Sequence, residues 1–170
     1  AIWGYDAEEL QDAVGRMLED AGLTVAAMES CTGGLLASTL TDTPGSSAYV
    51  RGGIVSYATA IKEQYGVPAD TIAAHGVISA ETALAMAEAV RRELASDIGV
   101  GITGVAGPDL QEGKPVGTVF IAVAGPGDAP PTQTGYTFGG SRESIKRRAV
   151  TTALTLLRRA LLARDGHGAA

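Results

Sequence analysis

The chain has 170 residues, with 13 Lys+Arg against 19 Asp+Glu for a formal charge of −6, and 45% of its residues are hydrophobic. That balance excludes a disordered segment and argues against nonspecific polyanion binding, while the length predicts one domain with a substantial core. Glycine is in excess: 23 residues, about 14% against a usual ~7%, fall as scattered singles and as Gly33-Gly34, Gly52-Gly53 and Gly139-Gly140, which signals many tight backbone positions in a folded chain.

In chain order, Asp6 is placed to N-cap a first helix with Leu10, Val14, Met17 and Leu18 on one face and Gly22 as its stop. Residues 23–28 read as a short buried strand and residues 33–41 as a helix that Thr43-Pro44-Gly45 ends. A second strand covers 53–57, and a short helix surrounds Lys62. Ser79 caps a long helix over 80–96 with Ala83, Met86, Ala87, Val90 and Leu94 apolar, and 98–103 is a strand. A Gly/Pro loop runs to Pro115. Residues 116–124 and 132–138 then form a hairpin, and Ser141 caps a last helix to about Ala163. Strands interleaved with helices predict an α/β fold, a three-layer α/β/α sandwich on a mixed, mostly parallel sheet.

The longest uncharged stretches, 115–127 and 129–141, have 13 residues each and are too short to span a bilayer. The first residues lack the basic and apolar regions of a signal peptide. One cysteine excludes an internal disulfide framework and fits a reducing cytoplasm; with only two histidines, no metal site is expected. Seven of the 13 basic residues lie at or beyond Arg142, whereas the first helix is acidic. Most of these charges read as solvated helix faces. Arg142 differs, because a cation at a helix N-terminus opposes the dipole and needs another reason to be there, such as a bound anion.

Glu29-Ser30-Cys31-Thr32-Gly33-Gly34 sits where a strand passes into a helix, so Ser30 would be exposed at the sheet edge beside helix N–H groups that could stabilise an oxyanion. The same residues could equally serve as N-caps and close-packing glycines. No Lys follows the glycines, which excludes a Walker A loop. A serine nucleophile needs a base. His75 reads as a loop cap and His167 as part of a frayed tail, which leaves lysine. Lys62 follows Tyr57 by five residues, and desolvation would make it a general base; alternatively it is a surface lysine on a short helix. Cys31 is a rival nucleophile. Thr103-Gly104 ends a strand at the C-terminal sheet edge, where α/β ligands bind, but no dinucleotide fingerprint is present.

With Glu-Ser-Cys-Thr-Gly-Gly (29–34), Pro-Gly-Ser-Ser (44–47), Gly-Gly-Ile-Val-Ser-Tyr (52–57), Lys62, His-Gly-Val-Ile-Ser (75–79), Gly-Ile-Thr-Gly-Val-Ala-Gly-Pro (101–108), Lys-Pro-Val-Gly-Thr-Val (114–119) and Gly-Ser-Arg (140–142), the sequence resembles the CinA family of competence/damage-inducible proteins. The likeness is to their C-terminal nicotinamide-nucleotide amidase domain. It covers residues 10–162, and the opening Trp-Gly-Tyr-Asp resembles a linker after a preceding domain, so residues 1–9 are expected to be a linker remnant and 164–170 a flexible tail. Two segments depart from the family pattern: Thr59-Ala60 stands where Asn-Glu is usual, and residues 109–113 replace a more glycine-rich stretch.

The resemblance implies deamidation of nicotinamide mononucleotide to nicotinic acid mononucleotide and ammonia, without cofactor or metal. Ser30 would be the nucleophile and Lys62 the base, acting directly or through Tyr57. The N–H groups of Thr32, Gly33 and Gly34 would hold the oxyanion, and Arg142, helped by Ser46, Ser47, Thr103 and Gly104, the phosphate. The alternative is a catalytically weak nucleotide- or partner-binding module of a competence or DNA-damage response. No nucleic acid or membrane partner is expected; Ala- and Leu-rich helix faces suggest a homo-oligomer, such as a dimer.

Overall fold

The computed structural model describes residues 8–167. Helix α1 (Leu10–Ala21) starts where the Asp12 carboxylate accepts the Glu9 N–H at 3.2 Å, and it stops at Gly22, whose φ of 64° few side chains tolerate. The expected cap, Asp6, lies outside the described residues; Glu9 takes that position. Next come β1 (Val25–Glu29), α2 (Leu35–Thr41), a short 3-10 turn (Ser46–Ala48) and β2 (Val50–Val55). Helices α3 (Thr59–Gln64), α4 (Ala69–His75) and α5 (Ala80–Glu93) lead to β3 (Ile98–Gly104), the hairpin β4 (Thr118–Ala124) and β5 (Thr132–Thr137), and α6 (Arg142–His167).

The sheet order is β2-β1-β3-β4-β5. β2, β1 and β3 pair in parallel, β4 is antiparallel to β3, and β5 is antiparallel to β4. Four of the five strands therefore point one way, as in the expected mixed, mostly parallel sheet. Helices α1, α2 and α6 cover one face; α5, with α4 against it, covers the other, which completes three layers.

Strand alternation divides the core. Val25 and Ala27 join Ile98, Val100, Ile102, Val119, Ile121 and Leu157 on the α6 side, while Ala26 and Met28 meet Met86 and Val90 on the α5 side. The two layers are packed by different means. On the α6 side branched residues fill space, and burying each Leu or Ile contributes about 1.5–3 kcal/mol. On the α5 side Gly99 and Gly101 let the helix backbone touch the sheet, since a Cβ at either would overlap the carbonyl of Ala87 or Ala83.

The capping residues act as expected: Ser79 Oγ accepts Thr82 N–H at 3.1 Å, and Ser141 Oγ accepts Ser144 N–H at 3.2 Å. Helix α6 continues to His167, past the predicted end near Ala163, so residues 164–167 are helical; residues 168–170 are not described. Helix α4 was not predicted. Pro68 precedes it and it buries no residue, so no apolar period marks it in the sequence. Among the described residues no helix is long and apolar enough to cross a membrane.

Candidate active site

Strand β1 delivers Ser30 to the C-terminal edge of the sheet. Its N–H donates to Ile102 O at 2.9 Å, which extends the ladder one residue beyond the strand. Glu29, only 1% exposed, turns its carboxylate onto α2 and accepts Leu36 N–H at 2.8 Å and Ala37 N–H at 3.0 Å. A buried carboxylate at a helix N-terminus is satisfied by the orphan amides and the helix dipole. The chain between them turns through Gly33 and Gly34 at φ 62° and 95°.

Lys62 comes from α3 and is fully buried. Its Nζ donates to Ser30 Oγ at 3.0 Å, Ser56 O at 2.5 Å and Tyr57 O at 3.4 Å. Burial pulls the Lys62 pKa from 10.5 down to about 8, against the opposing field of Glu112. About one lysine in ten is then neutral at pH 7. A nucleophile and a base in direct hydrogen-bond contact, with the base desolvated, form an activated serine. The rival thiol lacks that property: burial pushes Cys31 up to about 11, so it stays protonated at neutral pH.

Tyr57 is placed differently from the expected relay. Its exposed hydroxyl accepts a bond from Arg142 Nη2 at 2.9 Å, whereas Lys62 reaches Ser30 directly. Arg142, the first residue of α6, also donates through Nη1 to Gly107 O at 2.5 Å. Buried Thr103 donates through Oγ1 to Val77 O at 2.9 Å. Ser30, Tyr57, Thr103, Gly104 and Arg142 all line one cleft that is open to solvent.

Two expectations do not hold in full in this geometry. Ser46 and Ser47 precede β2, whose N-terminal end pairs with that of β1, so they sit at the opposite edge of the sheet, roughly 20 Å along the strands from Ser30. Of the amides assigned to the oxyanion, that of Gly33 donates to Ser30 O, and farther along α2 those of Leu36 and Ala37 bind Glu29. Thr32 is fully buried with a hydroxyl that has no partner among the described residues, and neither it nor Gly33 nor Gly34 lines the cleft. The amides of Cys31 and Thr32, which follow the serine directly, have no backbone partner among the described residues.

Thr59, Val77, Ile78, Asp109 and Gln111 also line the cleft, though none was singled out as a site residue. The signal existed: Thr59 and Asp109 lie in the two departing segments, and Val77-Ile78 lies in the His-Gly-Val-Ile-Ser motif. His75 stays outside, 3.7 Å from Glu81 on the surface. Among the described residues no three His, Cys, Asp or Glu side chains are grouped to hold a metal.

The family model of the CinA C-terminal domain matches residues 7–161. The chain belongs to the CinA C-terminal domain family. A putative competence-damage inducible protein of Desulforamulus reducens is 51% identical over 156 residues, 91% of this chain and 38% of the relative. A CinA-like protein of an Anaeromyxobacter species is 48% identical over 163 residues, 95% of this chain and 39% of the relative. The chain thus spans about two fifths of the length of these curated relatives. Two solved structures are covered almost end to end. The CinA superfamily protein of Klebsiella pneumoniae has a TM-score of 0.87 at 30% identity, with 94% of this chain and 99% of that one covered. The competence/damage inducible protein of Agrobacterium tumefaciens has 0.85 at 34% identity, with 94% and 98% covered.

Proposed function

We propose that this CinA domain is a serine amidohydrolase that converts nicotinamide mononucleotide to nicotinic acid mononucleotide and ammonia. The observation that carries the reading is the 3.0 Å contact between Ser30 Oγ and the buried Lys62 Nζ, in a cleft whose mouth holds Arg142. Neutral Lys62 takes the Ser30 proton as Oγ attacks the carboxamide carbon. The amide of Cys31, which lines the cleft directly after the serine, is the donor offered to the oxyanion. As the tetrahedral intermediate collapses, the C–N bond breaks and Lys62 returns the proton to the leaving nitrogen, which departs as ammonia. Water, deprotonated by the same lysine, then opens the nicotinoyl ester and restores Ser30. Arg142 pairs with the 5′-phosphate, exchanging its bond to Gly107 O for a charge-assisted one.

The test is ammonia release from nicotinamide mononucleotide by the purified protein in the presence of a chelator. Ser30→Ala should lower kcat by about a thousandfold or more while leaving the melting temperature nearly unchanged. Undiminished release from that variant would refute the serine mechanism. The second reading, a binding module with a weak pocket, draws on the unusual residues Thr59 and Asp109 at the cleft wall. It predicts nucleotide binding by calorimetry with no ammonia from the wild-type protein.

A further inference from the structure

We propose that Glu112 is a positioning residue for the serine site: its carboxylate clasps the turn at residues 77 and 78 to the loop at residues 105–117, and so fixes the Thr103 wall of the cleft facing Ser30. The role rests on the amide-hydrolysis reading above. Three features converge on this side chain. Its two oxygens accept Val77 N–H at 2.9 Å and Ile78 N–H at 3.0 Å, across more than thirty residues of sequence. Its backbone holds φ 50°, a conformation costly for a residue with a Cβ, at the tip of a tight turn that Gln111 and Lys114 close by mutual backbone bonds at 2.9 and 3.2 Å. On the receiving side, Gly76 has φ 81°, and a Cβ there would come within 2.7 Å of Glu112 Oε2. The glycine of His-Gly-Val-Ile-Ser is thus what lets the carboxylate approach.

The clasp acts on the site through one residue. The Val77 N–H is held by Glu112 while its carbonyl accepts Thr103 Oγ1 at 2.9 Å, so the same residue is gripped from the loop and from the end of β3. Val77 and Ile78 on one wall, and Asp109 and Gln111 on the other, all line the cleft. Releasing the carboxylate frees the two walls from each other and removes the support behind the Thr103 acceptor. Glu112 also reaches the base electrostatically. Its negative charge opposes the burial that lowers the Lys62 pKa, and Lys114, 3.9 Å from Glu112, is its own charged neighbour.

The experiment compares Glu112→Gln and Glu112→Asp with the wild-type protein, after thermal melts establish that each is folded. Three quantities are read: kcat and KM for nicotinamide mononucleotide across pH 6–10, amide exchange at Val77 and Ile78, and the titration of Lys62 followed by NMR. Gln keeps one acceptor and presents an NH2 to the other amide. Exchange at one of the two positions should rise about tenfold, kcat should fall several-fold, and the Lys62 titration with the acid limb of activity should move to lower pH. Asp keeps the charge but shortens the reach, so kcat should fall while the acid limb stays near its wild-type position. Faster exchange with unchanged kcat, KM and acid limb in both variants would mark a merely structural tether and overturn the proposal. Were the wild-type protein to release no ammonia, the amidase reading would fail separately. Unchanged amide exchange at Val77 and Ile78 in both variants, measured without substrate, would then overturn the clasp.

Discussion

Replacing Lys62 by Met should abolish activity and yet stabilise the domain at pH 7. The ammonium is fully buried, and burial lowers its pKa from 10.5 to about 8. At about 1.4 kcal/mol per tenfold, the charged form is disfavoured in the folded state by about 3 kcal/mol. Met fills a similar volume without charge. It also leaves Ser56 O and Tyr57 O without the Nζ donor, which costs about 1–2 kcal/mol. The net expectation is a gain of about 1–2 kcal/mol at pH 7. The sign with pH follows from the direction of the shift. Between pH 8 and about 10.5 the unfolded chain binds more protons at this residue than the folded one, so wild-type stability climbs across that window, while the variant has no such contribution. Its advantage is therefore full below pH 8 and disappears as pH approaches 10.5. Urea melts at pH 7 and pH 10 measure both numbers. A variant destabilised by about 3 kcal/mol at pH 7, or a difference independent of pH, would mean that Lys62 is well solvated or well paired, and the argument for it as a neutral base would fall with it.

Because the base must be neutral, kcat/KM for ammonia release should rise with pH through about 8 and level off above it, as initial rates across the range would show. Arg142→Ala removes the cation at the cleft mouth and the partner of the Tyr57 hydroxyl. KM should rise about tenfold or more with kcat within a few-fold of wild type, and steady-state kinetics separates the two. Gly101→Ala pushes a methyl group into Ala83 O and the Ala87 amide of α5, on the strand whose next residue, Ile102, anchors Ser30. Thermal unfolding should reveal a loss of about 2–3 kcal/mol, and activity per folded molecule should fall as the strand is displaced.

The fold and the serine–lysine pair were legible because each rests on a local signal. A strand ending in Glu-Ser-Cys-Thr-Gly-Gly puts a hydroxyl at a sheet edge, and a scarcity of histidine leaves lysine as the base. What escaped depends on where side chains turn after the chain has folded. Glu29 captures amides seven and eight residues ahead, a pairing no periodicity marks, and so occupies the first turn of α2 just beyond the Thr32–Gly34 amides expected at the oxyanion. Tyr57 precedes Lys62 by five residues, but its ring swings outward to Arg142, 85 positions away. Ser46 and Ser47 are a different case, since topology alone places them. In a parallel pair both strands begin at the same edge, so residues just before β2 must lie opposite those just after β1. The glycine excess divides along the same line. Gly104 and Gly107 do border the cleft, as loop glycines near a ligand should. Gly99 and Gly101 sit inside β3, where a strand pattern predicts side chains, and they are needed for the opposite reason: α5 lies so close that only hydrogen fits beneath it. A helix pressed onto the middle of the sheet holds β3 in place, and β3 supplies both the carbonyl that anchors Ser30 and the threonine that Val77 and Glu112 brace. Part of the glycine content therefore serves catalysis at one remove, by fixing the strand from which the site is built.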